Sequence, residues 1–332
     1  MAATQYIVEA GHRLHGTVRP SGNKNAALPI IAAALSTSEP VTLRNVPRIR
    51  DVETLVDLIR TVGVEASWDH GDPHTLHIHA KSVRAATLDP ELCARIRASI
   101  LLAAPLLARC GEIHLPPPGG DVIGRRRVDT HFLALGELGA KYQISERFHL
   151  TADKLVGADV FLDEPSVTGT ENAITAAVAA SGTTVLHNAA CEPHVQDLCN
   201  FLVTLGAQIE GIGSNQLTIH GGRTLRGGEF TIGPDHIEVG SFIGLAAVTR
   251  SDSSASLAKR RATSCFSVSE RARFTRIVAA SYRYKLFPTT RGWAEMMTQG
   301  SLAELLSGDA VLLELRLDAA LSDGAVAALG AF

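Results

Sequence analysis

GNKNAALPIIAAALSTSEPVTLRNVPRIRDVETLVDLIRTVGVEA, residues Gly22 to Ala66, contains one complete folding plan. Ala26 to Leu35 is an apolar run of mostly small side chains, which suits a helix buried on nearly all sides. Ser36 to Pro40 supplies a turn, and Val41-Thr42-Leu43 is a β-branched strand. Asp51 then opens an amphipathic helix that closes at Gly63, where a left-handed cap is wanted. A further strand, Leu76-His77-Ile78-His79, follows beyond Ala66.

The plan recurs. Arg95 to Tyr142 and Gly169 to Gly211 repeat it at a spacing of roughly 70 residues, with Asp129 in the role of Asp51 and with Gly139 and Gly206 as helix ends. In the third copy Ala173 to Ala180 is the buried helix, and Thr183 to Leu186 and Gln216 to Ile219 are strands. Each copy reads as a β-α-β-α-β-β unit, so the fold class is α/β, with buried helices inside and strands outside. Residues 21–232 are expected to form a complete three-repeat domain. A fourth copy starts at Asp235 and carries a helix over Ser241 to Val248, so residues 1–20 and 233–252 read as fragments of a second domain. After Asp252 the plan needs a β-branched strand, but SSASLAKRRATSCFSVSERARF offers serine and arginine, and residues 253–332 read as a divergent tail. A reading-frame change in a GC-rich gene would produce such a tail, and translating the coding DNA in the other two frames tests that.

Composition narrows the function. With 332 residues, 45% apolar and 20% charged, the chain can bury a large core. A net charge of -3 gives no reason to expect a nucleic-acid partner or an anionic membrane. Five cysteines without a CxxC pair fit reduced thiols, and the expected location is the cytoplasm. No run reaches membrane-helix length; Ile100 to Ala108 comes nearest and is interrupted by Pro105. The oligomeric state stays open.

Cations stand at equivalent places in different copies. Lys24 and Asn25 precede the first buried helix, Arg97 precedes the second, and Arg125-Arg126-Arg127 follow the turn Pro118-Gly119-Gly120-Asp121. Cations beside helix N-termini are what a phosphate or carboxylate ligand needs, although any single arginine is more often part of a solvated surface. Asp121, at a glycine tip beside arginines, reads either as a proton donor or as an ordinary turn residue. Ser166-Val167-Thr168-Gly169 is a phosphate nest or simply the turn into a helix. His70, His74, His77 and His79 suggest a metal at first sight, but with no carboxylate or cysteine at ligand spacing a solvated strand face is the better reading, and no metal is assigned.

Five segments carry a family resemblance: SGNKNAALPI (Ser21 to Ile30), TLRNVPRIRDVETL (Thr42 to Leu55), RASILLAAPLLARCG (Arg97 to Gly111), LPPPGGDVIGRRRVD (Leu115 to Asp129) and SVTGTENAI (Ser166 to Ile174). In order and collinear, they resemble the UDP-N-acetylglucosamine 1-carboxyvinyltransferases, a family of enolpyruvyl transferases, over about residues 5–252. The resemblance implies an inside-out α/β barrel with three repeats per domain. It implies transfer of the enolpyruvyl group of phosphoenolpyruvate to the 3′-hydroxyl of UDP-N-acetylglucosamine, the first committed step of peptidoglycan synthesis, without a cofactor or metal. Lys24 and Asn25 would then contact substrate, with Lys24 also stabilising charge during addition. Arg97 and Arg126 would hold phosphate and carboxylate groups, and Val128, Asp129, Ser166 and Val167 would shape the nucleotide end. Asp121 stands where most members carry the cysteine that protonates the methylene carbon; a carboxylate there can act as the general acid and would make the protein insensitive to fosfomycin. Thr290 of Phe287-Pro288-Thr289-Thr290 stands where members carry a carboxylate base and cannot replace it. The alternative is a truncated or frameshifted remnant that at most binds UDP-N-acetylglucosamine.

Overall fold

The computed structural model describes residues 17–84, 87–120, 127–248, 253–259 and 262–268. Gly22–Gly233 form one compact unit; the stretch up to Ser21 and most of the chain from Pro234 onward belong to another.

The strand β1 (Thr17–Val18) precedes the first unit. Its first repeat comprises α1 (Lys24–Ala33), β2 (Val41–Arg44), α2 (Arg50–Thr61), β3 (Glu65–Trp68) and β4 (Leu76–His79). The second comprises α3 (Pro90–Arg95), a 3-10 stretch at Arg97–Leu102, α4 (Ala103–Cys110), β5 (Glu112–Leu115), α5 (Asp129–Glu137), β6 (Lys141–Ile144) and β7 (Phe148–Thr151). The third comprises β8 (Asp159–Phe161), α6 (Val167–Ala179), β9 (Thr183–His187), α7 (Pro193–Thr204), β10 (Gln208–Glu210) and β11 (Gln216–His220), and β12 (Gly228–Thr231) closes the unit.

Each repeat builds one small sheet, and the three sheets share a topology. The third runs β10-β11-β9-β8, with β8 parallel to β9 and the other pairs antiparallel. The first runs β12-β2-β4-β3, with β12 in the parallel place. Last in the sequence of this unit, β12 completes the sheet of the first repeat and closes the ring. In the second repeat a single parallel bridge, Thr87 to His114, stands where that strand would be, beside the order β5-β7-β6.

Inside these sheets lie the apolar helices. Every residue of α1 from Ala26 to Ala33 is buried, as is α6 from Gly169 to Val178. Their small side chains let helices pack closely on all sides, and α1 meets α7 while α4 and α5 meet α6. Arg109 donates to the carbonyls of Leu35 (2.9 Å) and Ala80 (3.0 Å), filling backbone acceptors of the first repeat from the second. Gly63, Gly139 and Gly206 have φ of 90°, 98° and 110°, the left-handed caps the repeats require. Pro105 does not interrupt its helix: it is the third residue of α4, where a missing N–H costs little, and the 3-10 stretch precedes it.

In the other unit, Asp235 caps α8 (His236–Val248), its Oδ1 accepting from the amides of Ile237 (2.9 Å) and Glu238 (3.2 Å). The helix therefore starts five residues before the expected Ser241. After Asp252 the chain forms strands without β-branched composition: β13 (Ser253–Lys259) and β14 (Ala262–Val268) form an antiparallel hairpin, and β13 runs parallel to β1. Backbone pairing, at seven positions with β14 and two with β1, supplies here what β-branched composition does not.

Among the described residues no helix is long and apolar enough to cross a membrane.

Candidate active site

The three buried helical segments begin alike. Asn23, Ile96 and Ser166 are extended residues that turn the chain into α1, the 3-10 stretch and α6. Asn23 Oδ1 accepts from the amides of Asn25 (2.7 Å) and Ala26 (3.2 Å), and Ser166 Oγ accepts from that of Gly169 (3.2 Å). The first residues past these turns open on one cleft of about 740 Å³. Lys24, Asn25, Arg97, Ser166, Val167 and Thr168 all line it, with Gly120 at the end of the described Pro-Gly-Gly turn. Three helical starts, with the positive ends of their dipoles and the cations Lys24 and Arg97 beside them, thus face one space, an arrangement that favours an anion.

The turn carrying Gly119 and Gly120 is bonded to α3. Gly119 N donates to Cys93 O (2.9 Å) and Gly120 N to Ala94 O (3.3 Å), so the loop lies against α3 just before Arg97. A β-carbon on Gly119 would sit 1.8 Å from the Ala94 carbonyl oxygen, which leaves glycine as the fitting residue. Asp121, Arg125 and Arg126 lie outside the described residues.

Charges at the cleft are largely held. Lys24 Nζ is 2.6 Å from Asp51 Oδ2 in the first turn of α2, a half-exposed pair that a ligand anion can compete for. Arg97 donates to Arg127 O at 2.6 Å. Arg127 also lines the cleft, but its guanidinium is engaged by Asp129 (2.9 and 2.7 Å), by Asp163 and, at 3.7 Å, by Glu164. These carboxylates raise the Arg127 pKa above its ordinary value, and Arg127 in turn holds Asp129 below the usual carboxylate range. Of the residues expected at the site, Lys24, Asn25, Arg97, Ser166 and Val167 are brought together. Val128 and Asp129 are not among the lining residues, and Asp129 is occupied in anchoring Arg127.

A buried polar chain backs the α6 wall. Asn172 Nδ2 donates to Ile100 O (2.9 Å), which, with Oδ1 accepting from Ala104 N (3.4 Å), orients the amide. The same Nδ2 lies 2.7 Å from His131 Nδ1. That nitrogen must accept, so the proton of the neutral ring sits on Nε2 and is donated to Thr168 Oγ1 at 3.1 Å. Burial and Arg97 push the His131 pKa down to about 3.

Glu171 and His194 also line the cleft and were not anticipated. The available signal was a glutamate inside an Ala-rich buried helix, a place where an acid is rarely found without a reason. Glu171 is 2% exposed, and burial, then Glu192, raises its pKa well above the usual value.

The histidines on the outer strands have carboxylate neighbours. His77 and His79 share a face of β4, His77 Nε2 3.2 Å from Asp69 and His79 Nδ1 3.7 Å from Glu65. On β5 and β7, His114 and His149 stack with planes 7° apart and both direct Nε2 at Glu112 Oε1, at 3.2 and 2.7 Å. Parallel rings send their Nε2–H groups side by side, and one carboxylate oxygen accepts from both.

Known proteins share this architecture. A family model described as EPSP synthase (3-phosphoshikimate 1-carboxyvinyltransferase) matches residues 8–254. A UDP-N-acetylglucosamine 1-carboxyvinyltransferase of Bradyrhizobium diazoefficiens is 72% identical over 251 residues, covering 76% of this chain and 58% of that protein. One from Treponema denticola is 53% identical over 246 residues, with 74% and 57% covered. Among solved structures, the enolpyruvyl transferase NikO from Streptomyces tendae superposes with a TM-score of 0.65 at 28% identity, covering 74% of this chain and 58% of that one. An EPSP synthase from Acinetobacter baumannii superposes with a TM-score of 0.62 at 18% identity, a likeness of fold, covering 77% and 58%. The chain spans a little under three-fifths of the length of the relatives it matches.

Proposed function

The chain belongs to the enolpyruvyl transferase family that the EPSP synthase model describes, and from that premise we propose that it transfers the enolpyruvyl group of phosphoenolpyruvate to the 3′-hydroxyl of UDP-N-acetylglucosamine. The observation that supports this most is the convergence of Lys24, Asn25, Arg97, Ser166 and Val167, from three separate repeats, on one cleft. Such a site suits a ligand with several anionic groups at different places, as this substrate pair has. The relatives named for this reaction match the chain across its repeat-bearing part.

In this reading Lys24 leaves Asp51 to meet the phosphoenolpyruvate anion, and Arg97 and Arg126 hold its phosphate and carboxylate. Arginine suits that task because its planar fork matches two oxygens at once. Asp121 gives a proton to the methylene carbon as the sugar oxygen bonds to the neighbouring carbon, the hydroxyl's own proton passing to water. Loss of phosphate, with a proton leaving the new methyl group, restores the double bond. Asn25 contacts substrate beside Lys24, while Ser166 and Val167 meet the uridine diphosphate end and Val128 and Asp129 shape its surroundings. The step belongs to cytoplasmic peptidoglycan synthesis, hence to cell-wall biogenesis, shape and division.

Phosphate release from phosphoenolpyruvate, measured with and without the sugar nucleotide, tests the reading. Release that depends on UDP-N-acetylglucosamine is expected. Nucleotide binding by calorimetry without any turnover would reject the enzyme and leave a binding remnant.

A further inference from the structure

Three acids line the cleft among the described residues; Asp51 pairs with Lys24 and Glu164 with Arg127, whereas Glu171 has no cation beside it and no task in the proposed reaction. It lies in the second turn of α6, is 2% exposed, and its Oε1 has no hydrogen-bond partner. A buried polar atom is ordinarily paired because leaving it unpaired is costly, so this is a local rule broken at the cleft. Elsewhere α6 satisfies its polar groups: Thr170 Oγ1 accepts from Ala190 N at 2.9 Å, Thr175 Oγ1 donates to Glu171 O at 2.9 Å, and Asn172 has three partners.

We propose that the Glu171 carboxyl is a substrate-binding group, its Oε1 end meeting an oxygen of the bound ligand from the α6 wall. The inference rests on the reading that this cleft takes phosphoenolpyruvate and UDP-N-acetylglucosamine. Around Glu171 are Glu192, which disfavours a second negative charge, the buried thiol of Cys199, and His194 on the same cleft. In those surroundings the carboxyl keeps its proton and is a donor. A neutral acid can approach a phosphate or carboxylate oxygen without the repulsion an ionised one would bring, and an arriving anion favours that protonated form further. The cleft would then grip an anion with cations at α1 and Arg97 and with an uncharged donor at α6. The shared ligand chemistry is an acceptor oxygen, and the two substrates are its two possible sources.

Calorimetric titration of each substrate separately into the full chain, wild type and variants, decides both the role and the source. Glu171→Gln keeps a donor of the same shape and is expected to bind within about threefold of wild type, whereas Glu171→Leu and Glu171→Met should weaken one substrate by about tenfold or more. Thermal unfolding of each variant identifies any that does not fold, and either apolar variant suffices. Apolar variants that bind both substrates as wild type does would overturn the assignment and leave the proposed function standing; so would a Gln variant as weak as they are. If wild type binds neither substrate, the assignment and the functional reading fall together.

Discussion

Nδ2 of Asn172 on α6 donates to Nδ1 of His131 on α5, 2.7 Å away, and through that ring α6 is tied to its own Thr168 at the cleft. His131 is therefore a fixed neutral imidazole carrying its proton on Nε2. Its folded pKa of about 3 lies below the ordinary 6.5, so the unfolded chain takes up a proton that the folded chain refuses as pH falls through that interval. Stability contributed by this site is fully present above about pH 6.5 and declines toward pH 3, by on the order of a few kcal/mol across the window. Chemical denaturation from pH 7 to 4 should show a steeper loss in wild type than in His131→Gln. Nitrogen-15 spectra should show the Nε2-protonated tautomer unchanged from pH 8 to 5.

Lys24 and Asp51 form a half-exposed ion pair, the kind worth about 0–1 kcal/mol. Lys24→Ala is thus expected to leave the unfolding midpoint nearly unchanged while abolishing phosphoenolpyruvate-dependent phosphate release. Asp51→Asn should leave turnover measurable, because it frees the ammonium instead of removing it. A large drop in the unfolding midpoint of Lys24→Ala would show that the pair is structural.

Arg127 holds three carboxylates, Asp129, Asp163 and Glu164, around one guanidinium. Removing it leaves like charges facing one another. Arg127→Ala should lower the unfolding midpoint, and Arg127→Lys should recover only part of the loss because one ammonium cannot match the fork. The deficit should shrink in high salt, which screens the stranded carboxylates. Melting curves at two salt concentrations measure this.

Gly119 is hemmed in by the Ala94 carbonyl, and Gly119→Ala must push the Pro-Gly-Gly turn off α3. Because that turn runs directly into Asp121, the expected result is a loss of turnover greater than any loss of nucleotide affinity. Steady-state rates beside calorimetric affinities for the same variant separate the two.

Asp121 in place of a thiol carries a chemical consequence: a carboxylate is not alkylated by the epoxide fosfomycin as a thiolate is. Turnover by the wild-type chain should be unaffected by prolonged incubation with fosfomycin, and Asp121→Cys should become sensitive in a time-dependent way. Time-dependent inactivation of the wild type would sink the assignment of Asp121.

The repeated plan was legible because its signals are local. Small apolar residues from Ala26 to Leu35, the turn at Ser36 to Pro40 and the caps Gly63, Gly139 and Gly206 each act within a few residues of themselves, so spacing alone gives helix, turn and strand. The cations at the helix starts were legible for the same reason: equivalent positions in equivalent repeats fold to equivalent places. The hairpin after Asp252 was not, because its serine- and alanine-rich strands lack the β-branched pattern, and what forms them is backbone pairing: seven pairs between β13 and β14, and two with β1, more than two hundred positions earlier.

Sequence by itself determined the class of fold, the three-repeat unit and five of the residues that meet at the cleft. Tertiary structure alone decided which charges remain available there. Arg127 and Asp129 look equally exposed and equally ready in a linear text, yet Asp163 and Glu164, some 35 positions away, draw Arg127 into an anchor and Asp129 with it. Glu171 stands out in the text only as an acid within an Ala-rich helix; its raised pKa comes from the surrounding helices, which remove its water. Desolvation and long-range pairing set the state of an ionisable group, and both depend on neighbours that only the folded chain supplies.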